Sequence, residues 1–282
     1  MKFDVYGIGN ALVDKEFEVE EIFFQDHGIE KGLMTLGTDE ESLRLLGILT
    51  KQYGIKKQAG GGSAANTLYA ISQFGGKAFF SCKVASDETG DFFLKELGDQ
   101  NIQTNSQTQC DDGLTGRCLI MISPDAERTM YTYLGVSETI SEQELDLGAA
   151  KNSEYIYIEG YFVTSPSAKS AAIELKRFAE KNQIKTAMTF SDPAMVEYFL
   201  DGINDVLGEG VDLLFCNEQE LKLWAGTGDF DEACDKMKTK AKQFAITRGA
   251  GGALLFDGSN YINVDAHVVK AVDTNGAGDM FA

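Results

Sequence analysis

The chain has 282 residues, of which 43 % are hydrophobic, and it carries a formal net charge of −19 with only three prolines. This length and apolar content suit one large α/β domain with a smaller accessory unit, and no biased tract indicates a long disordered linker. The acidic balance argues against a nucleic-acid partner, because phosphate contacts need clustered Lys and Arg.

The cysteines and the N-terminus narrow the class of protein further. Five cysteines and two histidines show no C-x-x-C pair and no metal-ligand spacing, so a structural zinc site is not expected. The odd cysteine count favours a reduced, cytoplasmic protein. The N-terminus lacks a signal-peptide apolar region and no run is long enough to span a bilayer, so no membrane association is expected.

The first predicted element is a buried strand over residues 3–9, which is followed directly by Asn10 and Asp14. Ligands bind beyond the carboxyl ends of strands in open α/β sheets, so both residues are candidate substrate contacts. The alternative is an Asx-turn that only ends the strand. A Gly-x-Gly in this strand fits the start of a dinucleotide fingerprint, but Leu12 replaces its third glycine, which disfavours a Rossmann oxidoreductase.

A small β lid is predicted from three strands. Residues 16–20 alternate charged and apolar side chains, which indicates a strand with one wet face. Residues 115–122 and 128–134 indicate the two strands of a hairpin. We therefore assign residues 15–36 and 105–136 to a lid, which would exclude water from a site beneath it. The large domain would comprise residues 1–14, 37–104 and 137–282.

Two helices are predicted early in the large domain. Residues 38–49 form an amphipathic pattern with Thr38 as N-cap. The glycines of residues 60–62 precede a second helix, for which Ser63 is the predicted N-cap. Glycine lets the backbone approach a ligand closely, and Asn66 in the first turn could reach sugar hydroxyls. The alternative is a flexible turn before an ordinary helix.

From about residue 150 the chain alternates strand and helix, which is typical of a mostly parallel sheet covered on both faces. The predicted strands are residues 154–158, 185–190, 211–216 and 244–247. Polar residues follow these and the other predicted strands, and one rim of carboxyl ends explains their placement. They are Asn10, Asp14, Glu159, Asn217, Glu220, Thr247 and Asp279.

The most specific pattern is the turn Gly276-Ala277-Gly278, which leads into Asp279 after an apolar run at residues 268–272 that predicts a strand. Such a turn at a helix N-terminus presents N–H groups to a phosphate or an oxyanion. A carboxylate there would repel a bound anion, but it suits a base for a hydroxyl that attacks phosphorus. The pattern indicates phosphoryl transfer to an alcohol. The alternative is an acidic residue that only complements the helix dipole.

Two segments resemble a known family. Asp-Thr-Asn-Gly-Ala-Gly-Asp at residues 273–279 resembles the second signature of the PfkB-type kinases, the ribokinase and adenosine kinase superfamily. Gly-Gly-Ser-Ala-Ala-Asn at residues 61–66 resembles the first. Residues 9–14, 127–128 and 157–162 are most similar to the adenosine kinase branch. The resemblance implies a ribokinase-like α/β fold, with a mostly parallel central sheet, helices on both faces and a small β lid.

The resemblance also implies a role for each candidate residue. Asp279 would be the catalytic base, and Gly276, Ala277 and Gly278 would form the anion hole. The substrate-binding set would be Asn10, Asp14, Gly61, Gly62, Asn66, Arg128 and Glu159. The nucleotide-binding set would be Asn217, Glu220, Thr247, Arg248, Gly249 and Gly252, with Glu220 helping to place Mg²⁺ through water. ATP and Mg²⁺ are the implied cofactors, and a monovalent cation (K⁺) and a homodimer through the lid stay open.

We therefore expect an ATP-dependent kinase for the primary hydroxyl of a nucleoside, adenosine-like first. Glu159 falls where ribokinases carry a substrate-binding Glu, so a sugar kinase stays open. A catalytically silent sugar- or nucleoside-binding protein on the same fold is a further alternative. The family normally continues after the second signature, so we also expect sequence beyond Ala282 that completes the adenine pocket.

Overall fold

A computed structural model describes residues 2–105, 108–125, 127–267, 269 and 276–282. Within these residues, eight strands form a central sheet. From one edge to the other they are Tyr261–Val264, Ala253–Phe256, Ala241–Thr247, Val211–Asn217, Lys185–Thr189, Ser153–Ile158, Phe3–Ile8 and Ala78–Ser81. Neighbours pair in parallel from Ala78–Ser81 to Ala241–Thr247, and the last two pairings are antiparallel. The sheet is therefore mostly parallel, as predicted.

Helices cover both faces of this sheet. Alternate residues along its strands therefore pack into two different core clusters. Ile156 and Met188 pack in one cluster, whereas Tyr157 and Ala187 pack in the other. A parallel sheet buried on both faces needs such near-continuous apolar strands. The helices of this unit are Ser63–Gln73, Glu88–Asp99, Leu147–Lys151, Pro166–Lys181, Pro193–Tyr198, Leu200–Leu207, Glu218–Ala225, Phe230–Met237 and Ala277–Phe281. Short 3₁₀ turns lie at Val136–Thr139, Glu142–Glu144, Gly160–Thr164 and Gly249–Gly251.

Five strands of the described chain form a second sheet above the rim. Their order is Met34–Leu36, Arg128–Gly135, Thr115–Ile122, Leu12–Glu18 and Lys57–Gly61. One face packs against the helices Glu21–His27 and Asp39–Gln52 through a cluster that includes Phe17, Phe23, Leu45 and Leu119. A two-residue pairing of Val84–Ala85 with Gln109–Cys110 forms a separate small ribbon.

Several local predictions match the structure. Thr38 caps the helix Asp39–Gln52 by accepting a hydrogen bond from the Glu41 N–H. Ser165 caps the helix Pro166–Lys181 in the same way, with Pro166 at the first helical position. The predicted hairpin is present, with the strands Thr115–Ile122 and Arg128–Gly135 paired antiparallel. The strand predicted over residues 268–272 falls largely on residues outside the described ranges, as do Asp273, Thr274 and Asn275.

The predicted outline of the lid was too narrow. The strand predicted at residues 16–20 begins at Leu12 and ends at Glu18, and it pairs with Lys57–Gly61, a segment for which the sequence predicts a place in the large domain. Residues 57–61 lack apolar alternation, so only main-chain pairing makes them a strand. The glycines allow a close approach, since a Cβ on Gly61 would lie 2.5 Å from the Asp14 Oδ1.

Candidate active site

A cavity of about 280 Å³ lies between the carboxyl rim of the central sheet and the lid sheet. It collects most of the predicted site residues. The large unit contributes Asn10, Gly62, Ser63, Asn66, Glu159, Tyr161, Ser191, Asp192, Gly276, Ala277, Gly278 and Asp279. The lid sheet contributes Leu12, Asp14, Met34, Leu36, Cys118, Ile120, Met130, Thr132 and Leu134.

Asp279 is held by three hydrogen bonds from the helix Ser63–Gln73. The Ser63 Oγ donates to its Oδ1 at 2.7 Å, and the Asn66 Nδ2 donates to its Oδ2 at 2.9 Å. The Thr67 hydroxyl donates to the Asp279 main-chain oxygen at 2.8 Å. Burial raises the pKa of Asp279 above its ordinary value, although the donors Asn66 and Ser63 act in the opposite direction. The hydrogen bonds therefore fix the position of the carboxylate, and its raised pKa makes it a stronger proton acceptor.

The residues before Asp279 form a helix N-terminus at the cavity. Gly276 has φ 67°, in the left-handed region, and a Cβ there would lie 3.2 Å from the Asn66 Nδ2. The helix Ala277–Phe281 follows, and the first N–H groups of a helix have no intrahelical partner. Gly276, Ala277 and Gly278 line the cavity beside Asp279, which is the arrangement that the sequence predicted.

The prediction that Ser63 caps its helix was wrong. Gly62 is the N-cap and Ser63 is the first helical residue. Gly62 has φ 105°, and a Cβ on it would lie 2.1 Å from the Asn10 main-chain oxygen, so only glycine fits this close approach. The Ser63 hydroxyl is thereby available to bind Asp279. This contact spans 216 residues of sequence, so capping rules could not reveal it.

Glu159 and Asn10 form a buried pair at the ends of two neighbouring strands. The Glu159 Oε1 accepts from the Asn10 N–H at 2.8 Å and from the Asn10 Nδ2 at 2.7 Å. Its Oε2 accepts from the Ala64 N–H at 2.9 Å. Burial raises the pKa of Glu159 to about 7, against the effect of these donors. Both residues line the cavity, so the structure brings them together as predicted.

The lid wall of the cavity is mainly apolar. Leu12, Ile120 and Leu134 lie on it, as do Met34, Leu36 and Met130. Its polar groups are Asp14, Thr132 and the Cys118 thiol, to which the Thr132 hydroxyl donates at 3.3 Å. The sequence predicts the lid strands, but their side chains were not predicted to line a cavity. Alternation along residues 118–120 and 130–134 was the signal that could have found it.

Arg128 lies outside the set of described residues that line the cavity. It begins the strand Arg128–Gly135 and pairs with Ile122, whereas Met130, Thr132 and Leu134 line the cavity farther along the strand. Strand alternation places Arg128 on the same face as these three residues, one step farther out. The structure thus places Arg128 beyond the outer end of the cavity wall, and its predicted contact with substrate stays a prediction.

A second cavity, of about 100 Å³, adjoins the first at Ser191, Gly278 and Asp279. Three residues of the predicted nucleotide-binding set, Asn217, Glu220 and Thr247, line this smaller cavity. These three residues thus lie close to the first cavity, because the two cavities share Ser191, Gly278 and Asp279.

Asn217 and Glu220 cap the helix Glu218–Ala225. The Asn217 N–H and Nδ2 donate to Glu220 at 2.9 Å and 2.7 Å, and the Glu220 N–H donates to the Asn217 Oδ1 at 2.8 Å. Burial raises the pKa of Glu220 to about 7, and Asp192 and Asp279 act in the same direction. Among the described residues, no group of three or more His, Cys, Asp and Glu has the arrangement of a metal site.

The turn after Thr247 begins at the surface, where Arg248 and Gly249 are exposed. The Arg248 Nε donates to the Glu218 Oε2 at 3.0 Å, and its guanidinium lies 4.7 Å from the centre of the Phe230 ring. Gly249 begins the turn Gly249–Gly251, and Gly252 closes it with φ 82°. These residues follow a cavity-lining residue, but they lie outside the described set that lines either cavity.

The fold and the site define an α/β enzyme with an acid at a helix N-terminus beneath a β lid. The chain belongs to the pfkB family of carbohydrate kinases, whose model matches residues 34–282. Membership confirms the ribokinase-like fold and implies phosphoryl transfer from ATP to a hydroxyl acceptor. Within the described ranges, none of the helices combines the length and apolar character needed to cross a bilayer.

Relatives of both acceptor classes are similar to this chain. The adenosine kinase of Schizophyllum commune is 25 % identical over 311 residues, which cover 99 % of this chain and 87 % of that protein. The ribokinase of Mus musculus is 26 % identical over 229 residues, which cover 78 % of this chain and 68 % of that protein. The crystal structure of adenosine kinase from Sinorhizobium meliloti superposes with a TM-score of 0.90 at 33 % identity, and the match covers 100 % of this chain and 85 % of that one.

Proposed function

We propose that this pfkB family kinase phosphorylates the primary hydroxyl of a nucleoside, with ATP as donor and Asp279 as the general base. The observation that carries the proposal is the two-sided acceptor cavity. One side presents Asn66 and Asp279, and the other presents the lid wall, which is apolar apart from Asp14, Thr132 and Cys118. A nucleoside has the same division between a polar sugar and a flat, largely apolar base.

The cavity favours a nucleoside over a plain sugar, because its apolar lid wall would remove water from the ligand groups that contact it. A hexose or a pentose carries hydroxyls around its ring, and burying an unpaired hydroxyl against Leu12, Ile120 or Leu134 costs free energy. A nucleobase would bury its faces there and gain by the hydrophobic effect. The ribose hydroxyls would then lie towards Asp14 and Asn66.

The base role rests on how Asp279 is held. Ser63 and Asn66 fix both carboxylate oxygens, so the group is pre-positioned for an acceptor hydroxyl in the cavity. Its raised pKa makes it a better proton acceptor than a solvated aspartate. The adjacent N–H groups of the helix start would stabilise charge on the transferring phosphoryl group. A carboxylate and an anion hole on one short helix suit in-line transfer to a hydroxyl.

The smaller cavity supports a place for the donor phosphates on the far side of Asp279. Asn217, Glu220 and Thr247 line it, and Gly278 and Asp279 separate it from the acceptor. Glu220 would hold Mg²⁺ through water, and the ion would supply positive charge to the donor phosphates when bound. In a chain of net charge −19, such local positive charge is needed to bind ATP.

A sugar kinase is the second candidate, and Glu159 is the observation that favours it. This carboxylate lines the acceptor cavity, where it could contact a sugar hydroxyl. Its two oxygens already accept three hydrogen bonds from the protein, however, which leaves less capacity for a ligand. We therefore rank the nucleoside first.

A panel of acceptors separates the two candidates. Purine and pyrimidine nucleosides, ribose and fructose would each be offered with ATP and Mg²⁺, and kcat/KM would be measured from ADP release. Our proposal expects at least one nucleoside to exceed both sugars by about tenfold or more, which is roughly 1.4 kcal/mol of transition-state binding. A sugar preferred over every nucleoside would contradict it, and no turnover with any acceptor would favour a silent binding protein.

A further inference from the structure

Glu159 is a buried carboxylate whose two oxygens are both taken by donors of the protein. Its side chain is 1 % exposed. One oxygen accepts two hydrogen bonds from Asn10, and the other accepts one from the Ala64 N–H. Burying a carboxylate is unfavourable unless hydrogen bonds compensate for the lost water, and these three donors do so.

The donors belong to two separate elements of the fold. Asn10 follows the strand Phe3–Ile8, and Ala64 lies in the first turn of the helix Ser63–Gln73. Between them the packing is tight, since a Cβ on Gly9 would lie 2.5 Å from the Glu159 Oε2 and 2.5 Å from the Ala64 Cβ. Glu159 therefore joins the end of the first strand to the start of this helix.

The helix that Glu159 anchors is also the one that holds Asp279. Ser63 precedes Ala64 directly and donates to the Asp279 Oδ1, and Asn66 donates to the Oδ2. A displacement of the first helical turn would move both donors. Errors of about 1 Å in the placement of a reacting group can lower a rate about 100-fold.

We infer that Glu159 is a positioning residue for phosphoryl transfer, which acts through the start of the helix Ser63–Gln73 to orient Asp279 and does not bind the acceptor itself. This inference rests on the proposed function, because it assigns Glu159 to the same reaction. It differs from the expectation that Glu159 binds substrate.

Glu159→Gln disrupts the hydrogen bonds that join Asn10 and Ala64, with little change in side-chain size. A glutamine has one acceptor oxygen and one NH₂ donor, so it cannot accept from both Asn10 and Ala64. In one orientation its NH₂ faces the Ala64 N–H, and in the other it faces the two Asn10 donors. Either way, two donors oppose each other in a buried place.

The kinetic test separates positioning from acceptor binding. We expect Glu159→Gln to lower kcat at least tenfold while the acceptor KM stays within about threefold of wild type, because loss of a transition-state arrangement lowers kcat. A raised KM with unchanged kcat would show that Glu159 is an acceptor ligand, and it would overturn the inference.

A double variant tests whether the effect passes through Asp279. In an Asp279→Asn background, adding Glu159→Gln should lower the residual rate by less than about threefold, since the base that Glu159 positions is already lost. The same tenfold loss in both backgrounds would mean that Glu159 acts independently of Asp279, and the inference would fail.

Glu144→Gln is a matched control. Glu144 is also buried at 5 % exposed, accepts from the Ser141 N–H at 2.7 Å, and pairs with the Lys83 Nζ at 2.9 Å, outside the described residues that line the acceptor cavity. This substitution should lower the melting temperature while kcat stays within about twofold of wild type. An equal loss of kcat would indicate that any buried glutamate has this effect, which would also overturn the inference.

Amide hydrogen exchange at Ala64 tests the hydrogen bond between its N–H and Glu159 without a measurement of phosphoryl transfer. Exchange should be at least tenfold faster in Glu159→Gln than in wild type without ligand, because the Ala64 N–H loses its acceptor. Unchanged exchange would contradict the anchoring role. If wild type transfers phosphate to none of the acceptors, the proposed function fails, and this exchange measurement alone decides whether Glu159 anchors the helix.

Discussion

Removing the Ser63 hydroxyl tests how Asp279 is held in the acceptor cavity. In Ser63→Ala the Asp279 Oδ1 loses a donor at 2.7 Å, while the Asn66 Nδ2 remains on the Oδ2 at 2.9 Å. Ser63 is the first residue of its helix and Gly62 is the cap, so the substitution leaves the cap intact. Alanine is a good helix former, so the fold should be retained.

The size of the effect follows from the charge on the acceptor. A hydrogen bond to an ionised group contributes about 1.5–3 kcal/mol, and each 1.4 kcal/mol corresponds to about tenfold in rate. Asn66 still restrains the carboxylate, so we expect the lower end, a loss of about tenfold in kcat. Ser63 also lowers the pKa of Asp279, so its removal should raise that pKa further. A base must be deprotonated to act, and the acidic limb of the kcat profile should therefore move to higher pH.

The assay is steady-state ADP release from pH 5 to pH 9 with saturating ATP and acceptor. Ser63→Thr, which keeps the hydroxyl, should recover most of the activity. Ser153→Ala is the control, because the Ser153 Oγ donates to the Ala149 main-chain oxygen at 2.9 Å and lies at the amino end of its strand, away from the rim. A Ser63→Ala profile that superimposes on wild type in height and in pH midpoint would show that Ser63 does not position Asp279.

Three further outcomes follow from the structure. Leu134→Asn places an amide on the lid wall and should raise the nucleoside KM about tenfold in steady-state kinetics. The melting temperature from thermal unfolding should change little. An unchanged KM would mean that the lid wall does not contact the acceptor. Gly62→Ala should lower the free energy of unfolding, measured with urea, by several kcal/mol. The new residue would have to adopt φ 105° and would place its Cβ 2.1 Å from the Asn10 main-chain oxygen. A cost below about 1 kcal/mol would contradict this geometry. Burial raises the pKa of Glu220 from 4.5 to about 7, so the folded state favours the protonated carboxyl. The contribution of Glu220 to the free energy of unfolding is therefore full below about pH 4.5. It falls by about 3 kcal/mol as the pH rises to 7. In Glu220→Gln the decline of melting temperature over this pH range should be smaller than in wild type, and equal slopes would contradict the assignment.

The sequence was most informative where the physics is local. Thr38 with Glu41, and Ser165 with Pro166, are helix starts that a few neighbouring residues determine, and both lie where they were predicted. The parallel sheet was predictable because apolar runs that alternate with helical patterns have few other arrangements.

The contacts that build the site were less accessible from sequence. Ser63 with Asp279 and Glu159 with Asn10 are separated by 216 and 149 residues, and propensity rules do not reach across such distances. Ser63 is also misleading locally, since serine before an apolar helix is a common cap. Gly62 takes the cap position instead, because its φ of 105° suits glycine.

The lid shows the same limit in a different form. Lys57–Gly61 carries no apolar alternation, so its pairing with Leu12–Glu18 rests on main-chain hydrogen bonds that a pattern of side chains does not encode. The apolar wall of the cavity depends on which face of Thr115–Ile122 points inward. That choice is set by the helix Asp39–Gln52, which covers the opposite face with Leu45 and Leu49.

In the proposed reaction Asp279 takes the proton of the acceptor hydroxyl, and Asp279→Asn tests this step most directly. Asparagine can keep the contact with Ser63 or with Asn66 but cannot accept a proton. Single-turnover kinetics with saturating nucleoside and ATP would be measured beside the nucleoside Kd from calorimetry. We expect a fall in rate of at least about 1000-fold, roughly 4 kcal/mol in barrier, with a Kd within about threefold of wild type. A variant that turns over within about tenfold of wild type would contradict it.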